Sequence, residues 1–261
     1  MTLRRDSGRR ALAKVIRTAG NSLGFVVFGV GALVLAGLVL PILGLMRRGP
    51  RDLLAQRLIH SAHSRYLRLG GWLGLWSIEV DGGERLDGAR GSLVVANHPT
   101  LLDVVLLLSR LPHAACVVKR AAWRNPFFAL LVRTAGYLPN DSAEAVIERC
   151  AERLRSGRNV ILFPEGSRSP VTGLRPFHRG AAHVLLRSEC SLLPVTIRCD
   201  PPALKKGQPL WALPNERFRY RLSVGEPLRA AAFGVEGMAR PAAARRVTEQ
   251  LEEYFLARTA G

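Results

Sequence analysis

Acidic residues are scarce in this chain. Only 20 Asp+Glu stand against 38 Lys+Arg over 261 residues, a formal net charge of +18. Such a balance calls for an anionic partner or surface: nucleic acid, an acidic carrier protein or anionic lipid. Other absences argue against nucleic acid. The sequence has no helix-turn-helix spacing, no zinc-finger Cys/His spacing and no aromatic run of the kind that stacks RNA bases. Cysteine is sparse as well. Cys116, Cys150, Cys190 and Cys199 form no C-x-x-C pair and no disulfide framework, which suits reduced thiols in a chain facing the cytosol. There is no G-x-S-x-G, so a serine-hydrolase elbow is unsupported. Repeats and low-complexity tracts are also missing, and the Gly and Pro residues follow no collagen-like period. With 48% hydrophobic residues the chain has enough apolar surface to fold rather than stay disordered.

The charge is uneven. Residues 1–72 hold 12 Lys+Arg and only Asp6 and Asp52, a net +10 that flanks the longest uncharged stretch, Thr18 to Met46. Within it Leu23–Met46 is almost wholly apolar, and 24 helical residues at 1.5 Å each reach about 36 Å, enough to cross a hydrocarbon core of about 30 Å. A cleaved signal peptide would have a shorter apolar region and a small-residue cleavage site, whereas Arg47, Arg48 and Gly49 follow here. The segment reads as a membrane anchor. Six basic residues lie on each flank, so the positive-inside rule favours neither side. Five glycines and Pro41 within the segment allow a re-entrant path as readily as a crossing. Residues 52–76 read as a basic amphipathic helix, either at headgroup level with Trp72 and Trp76 as interfacial anchors or packed on the following domain. The chain therefore divides into an N-terminal membrane module, 1–74, and a catalytic domain, 75–261.

From residue 75 short β-rich runs alternate with helical stretches. Strands are expected at Leu75–Val80, Leu93–Ala96, Ala114–Val118, Asn159–Phe163, Leu192–Arg198 and Phe218–Val224. Helices are expected at Leu101–Ser109, Pro126–Ala135, Ser142–Ser156, Gly180–Glu189 and Ala242–Arg258. Ser142 suits the N-cap of the third helix and Gly157 its stop. In the last, Val247, Leu251 and Phe255 share one face. The pattern predicts a single α/β domain with a mostly parallel central sheet covered by helices. Ligands of such sheets bind beyond the carboxyl ends of the strands.

Two of those ends carry chemistry. After Leu93–Ala96 comes Asn97-His98-Pro99-Thr100-Leu101-Leu102-Asp103, with Pro99 suited to the first position of the next helix. With His98 ahead of that helix, its ring can fold back on Asp103. A carboxylate on one ring nitrogen fixes the tautomer and leaves the other nitrogen to take a proton, so the nucleophile can be a hydroxyl on the substrate. Alternatively His98 caps the helix and Asp103 merely favours its dipole. After Asn159–Phe163 comes Pro164-Glu165-Gly166-Ser167-Arg168-Ser169. Gly166 permits a tight turn or a close approach to ligand, Arg168 can grip an anionic headgroup, and Ser167 and Glu165 can bind hydroxyls. Arg175, His178 and Arg179 can extend the anion site; alternatively Glu165 and Arg168 form an ion pair that braces the turn.

Together these blocks resemble the glycerolipid acyltransferase (PlsC-like) family, marked by N-H-x-x-x-x-D, then F-P-E-G-[ST]-R-S, then a short strand containing Pro, here Leu193-Pro194-Val195. The resemblance spans roughly residues 75–225. It implies that His98 is the general base and Asp103 its partner, and that Glu165, Gly166, Ser167 and Arg168 bind the acceptor's polar head. It further implies acyl transfer from a coenzyme A or acyl-carrier-protein thioester to a glycerolipid hydroxyl, at the membrane and without a metal or other cofactor. Between the blocks, Lys119 and Pro126-Phe127 fit the family pattern, but Asn140 stands where the family carries an arginine. An asparagine hydrogen-bonds a phosphate without neutralising it, which gives weight to a lysolipid other than lysophosphatidic acid. The expected partners are thus the bilayer, a lysolipid acceptor and the thioester donor, with the catalytic domain on the cytoplasmic face of the membrane. A lipid-binding protein without catalysis and a lipid hydrolase are the alternative readings.

Overall fold

The computed structural model describes residues 50–124, 126–170, 172–208 and 216–259, with isolated positions between 20 and 45. The apolar segment 23–46 lies outside the described residues apart from those positions. Among the described residues no helix is long and apolar enough to cross a membrane.

The order of elements is α1 (Pro50–Trp72), β1 (Trp76–Asp81), α2 (Gly83–Asp87), β2 (Ser92–Ala96), α3 (Asp103–Leu108), β3 (Ala114–Lys119), α4 (Arg120–Arg124), α5 (Pro126–Thr134), β4 (Leu138–Asn140), α6 (Ala143–Arg155), β5 (Asn159–Leu162), α7 (Gly180–Ser188), β6 (Ser191–Asp200), β7 (Phe218–Val224), a 3₁₀ turn (Ala230–Phe233) and α8 (Arg240–Thr259). The strands form one sheet in the order β1-β7-β6-β2-β5-β3-β4. From β6 to β4 all neighbours are parallel; β7 reverses against β6, and β1 runs with β7. Every residue of β2 is buried, as befits a central strand covered on both faces, whereas β7 alternates and leaves Arg219 and Arg221 in solvent. Helices α6, α7 and α8 pack side by side over β5, β2 and β6, while α1 packs on α3, α5 and β1. This is the expected α/β domain with a mostly parallel sheet.

Several local signals act as the sequence suggests. The Ser142 hydroxyl accepts from the Ala145 amide at the start of α6, and Val247, Leu251 and Phe255 are buried together under α8. All four cysteines are free, and burial pushes the Cys116 and Cys150 thiols up to about 12, which keeps them protonated and inert.

Helix α1 buries Ala55, Ile59, Tyr66 and Leu67 in the same core as the sheet, while Trp72 at its end is 83% exposed. Its anchoring is also polar: Asp52 is buried and pairs with Arg153 of α6 at 3.0 Å, and Gln56 donates to the Ala135 carbonyl at 2.8 Å. Trp76 corrects the reading of it as an interfacial anchor. It is 1% exposed, lies tilted against Tyr66 with ring centroids 5.3 Å apart, and donates its indole N–H to the Leu67 carbonyl at 2.9 Å. A buried indole needs such a partner. The close approach requires a glycine opposite, since a Cβ on Gly70 would lie 1.9 Å from the Trp76 ring.

Candidate active site

Because β2, β5, β3 and β4 are parallel neighbours, their carboxyl ends lie along one edge of the sheet. That edge receives the segments after Ala96 and Leu162 together with Lys119 and Asn140, which are register partners at the ends of β3 and β4. Strand β3 extends three residues past Cys116, its last partner on β5, so Lys119 projects beyond the sheet centre. Both Lys119 and Asn140 are exposed.

His98 follows β2 in irregular chain, and its ring does fold back: Nδ1 lies 2.8 Å from Oδ2 of Asp103. Asp103 is 0% exposed and accepts three hydrogen bonds. The Thr100 amide donates to Oδ2 at 2.7 Å and the Thr100 hydroxyl to Oδ1 at 2.5 Å, beside the His98 contact. An ionised carboxylate only accepts, so Nδ1 carries the proton and Nε2 of the neutral ring holds the lone pair. The His98 side chain keeps 18% of its surface exposed and stacks on Phe163, with ring centroids 4.3 Å apart. Position and tautomer are both fixed while Nε2 stays outside the Asp103 contact. Pro99 departs from expectation. Helix α3 starts only at Asp103, and the intervening turn is held by the Leu102 amide donating to the Thr100 hydroxyl at 3.2 Å. Asp103 is thus more than a dipole partner of a short helix.

The second block is fastened to the first from inside. Glu165 is 3% exposed. Its Oε1 accepts from the His98 amide at 2.9 Å and from the Ser169 hydroxyl at 2.7 Å, and its Oε2 from the Arg175 amide at 2.9 Å. The Ser169 amide donates in turn to the His98 carbonyl at 2.7 Å. These contacts correct one reading: Glu165 forms no ion pair with Arg168 among the described residues. They also engage its carboxylate through three donors of its own chain. A buried carboxylate needs that set of donors to stay charged.

Gly166, Ser167 and Arg168 are left toward the surface. Gly166 has φ +63, which favours glycine, and a Cβ there would lie 3.1 Å from the His178 ring, so the ring would have to give by a few tenths of an ångström. One Arg168 nitrogen donates to the carbonyls of Leu204 (2.9 Å) and Lys205 (3.0 Å), while Arg175 Nε donates to the Arg168 carbonyl at 3.0 Å. The Leu101 amide ties the same loop to the turn after His98 by donating to the Leu204 carbonyl at 3.1 Å. Arg168, Arg175 and Lys205 thus stand on loops bonded to the segment around His98, and no carboxylate of the described residues forms an ion pair with any of their side chains. Unbalanced cations on fixed backbone contacts suit a phosphate. Sequence reasoning missed Thr100, Ser169 as a brace, and the Leu204–Lys205 loop. The Thr-x-x-Asp spacing of a capping box was the available signal for Thr100; the loop gives none. Among the described residues no three His, Cys, Asp or Glu side chains are gathered as a metal site would need.

Residues 77–198 match the family model described as Acyltransferase. The chain is 29% identical over 181 residues to a chloroplastic 1-acyl-sn-glycerol-3-phosphate acyltransferase of Brassica napus, covering 66% of this chain and 51% of that one. It is 26% identical over 140 residues to the enzyme of that name from Borreliella burgdorferi, covering 50% of this chain and 55% of that one. The crystal structure of the 1-acyl-sn-glycerophosphate acyltransferase PlsC from Thermotoga maritima superposes with a TM-score of 0.66 at 26% identity, covering 91% of this chain and 97% of that one. The chain spans 36%, 51% and 37% of the length of three curated relatives from plants. Over these residues the chain is similar to the PlsC-like glycerolipid acyltransferases.

Proposed function

We propose that this protein is a membrane-bound O-acyltransferase. It moves a fatty acyl chain from a coenzyme A or acyl-carrier-protein thioester to a hydroxyl of lysophosphatidic acid or a related lysolipid, in phospholipid synthesis. The observation that carries the reading is the His98–Asp103 contact, which leaves Nε2 basic at the strand-end edge beside three uncompensated cations.

In this reading Nε2 of His98 takes the proton of the acceptor hydroxyl as its oxygen attacks the thioester carbonyl. The C–S bond then breaks, and the imidazolium returns the proton to the departing thiolate. Asp103 stabilises the imidazolium in between. Arg168 and Arg175, with Lys205 and the Lys119–Asn140 pair, hold the acceptor's phosphate or the polar part of the donor. Glu165 is a positioning residue that ties the two blocks together. The apolar segment 23–46 anchors the chain, with the catalytic domain on the cytoplasmic face, and the excess positive charge draws anionic lipid and acidic donors.

The test uses detergent-purified protein, a labelled thioester and a panel of lysolipids. Labelled diacyl product is expected, falling by about 10²–10⁴ in His98→Ala. Label released only as free fatty acid would replace the proposal with hydrolysis. The same activity is expected to stay with membranes through a high-salt wash, and its release by salt alone would remove the anchor from the account.

A further inference from the structure

A second feature shares no residue with the His98 site. Between α1, β1 and α3 lies a cavity of about 720 Å³, within the usual range of about 300–1,000 Å³ for small-molecule sites. Its floor is apolar, made by Leu67, Trp76, Ile78, Val80, Leu106 and Leu222. Its polar lining includes three arginines and no carboxylate. Arg110 is neutralised by Asp87, which it grips at 3.1 and 2.5 Å. The other two keep their charge. Among the described residues Arg68 donates only to the Ser64 carbonyl of its own helix at 3.4 Å, and Arg217 only to the Trp76 carbonyl at 3.0 Å. Neither pairs with a carboxylate of the described residues, and both are exposed.

An apolar floor under two free guanidiniums is complementary to one kind of molecule, an anionic amphiphile. The chain goes on the half-buried Ile78 and Val80, and the phosphate goes on Arg68 and Arg217. Free phosphate would leave the floor wet, and a headgroup carrying its own cation would leave the guanidiniums uncompensated. The source is indicated by what adjoins the cavity. Leu69, Trp72 and Leu73, at the end of α1 beside Arg68 and Gly71, are 40%, 83% and 45% exposed. Trp with flanking Leu and Arg is the composition that settles at a bilayer surface. We infer that this cavity binds one anionic phospholipid of the bilayer, at a site separate from that of the acceptor.

The probe is dihexanoylphosphatidylglycerol below its micelle concentration, titrated calorimetrically into the purified full chain. Dihexanoylphosphatidylcholine and inorganic phosphate are the comparison ligands. Saturable binding of the phosphatidylglycerol is expected, at least about tenfold tighter than either comparison ligand. Arg68→Gln with Arg217→Gln should weaken it about tenfold or more. Arg68→Gln alone, at an exposed position without tertiary partners, should give a smaller loss in the same direction. Arg229→Gln with Arg245→Gln, which removes equal charge elsewhere, and His98→Ala should leave it unchanged. Absent saturation, equal binding of the phosphatidylcholine or of phosphate, indifference to Arg68→Gln, or loss in His98→Ala would each overturn the assignment. The last outcome would place the lipid at the acceptor site without touching the proposed chemistry.

Discussion

Glu165 shows how a single side chain can take a different role from the one its position suggests. In a turn of charged and hydroxylated residues it reads as a ligand for substrate, yet three donors of its own chain occupy it, one being the backbone of His98. Glu165→Gln should therefore act through structure. An amide oxygen can keep the His98 and Ser169 donors, but the NH₂ then faces the Arg175 N–H, donor against donor. A loss of about 1–3 kcal/mol in urea unfolding is expected, together with reduced turnover as the clash with the Arg175 amide displaces the side chain to which the His98 backbone is bonded. Unchanged stability with a raised KM would restore Glu165 as a substrate ligand. Thr100 acts in the same indirect way, because its amide and hydroxyl hold the carboxylate that holds the ring.

At the scale of elements, α1 follows the apolar segment of the sequence and packs on the sheet. Burial, with His60 nearby, lowers the His63 pKa on this helix to about 4. A group held below its unfolded value of about 6.5 binds more protons in the unfolded state, so its contribution to stability falls with pH between about 6.5 and 4. Taking the protein from pH 7.5 to 4.5 should cost about 2–3 kcal/mol through this residue. His63→Leu is expected to reduce the acid loss seen in denaturant titrations by about that amount; an identical pH profile would show that His63 does not carry it. Much of this level was legible in the sequence. Ser142 and Gly157 bracket α6, and Val247, Leu251 and Phe255 mark the inner face of α8, because capping and periodicity are local. The misses have physical causes. Helices α2 and α4 have five residues each and β4 has three, too few to show a period. Trp76 offers the same indole whether it faces lipid or core, and only the packing of Gly70 against it decides.

On the scale of the whole molecule, a row of four parallel strand ends converts four separate stretches of sequence into one edge. The two blocks around His98 and Glu165 were legible there because chemistry and order both marked them. The cation wall from Arg168 to Lys205 was not, since it depends on a loop reaching back across 36 residues to accept from Arg168. The same architecture keeps the arginine-rimmed cavity beside α1 apart from the histidine, so lipid capture and acyl transfer can be separated by substitution. What the catalytic reading requires is that His98 and Asp103 function as a unit.

A double-mutant cycle on initial rates with a thioester donor and lysolipid acceptor measures this directly, comparing His98→Ala, Asp103→Asn and both together. If Asp103 acts only through the imidazole, the double variant should be no slower than His98→Ala alone, within about a factor of three. Losses that multiply, with the double variant slower by the product of the two single effects, would contradict the pairing and the mechanism built on it.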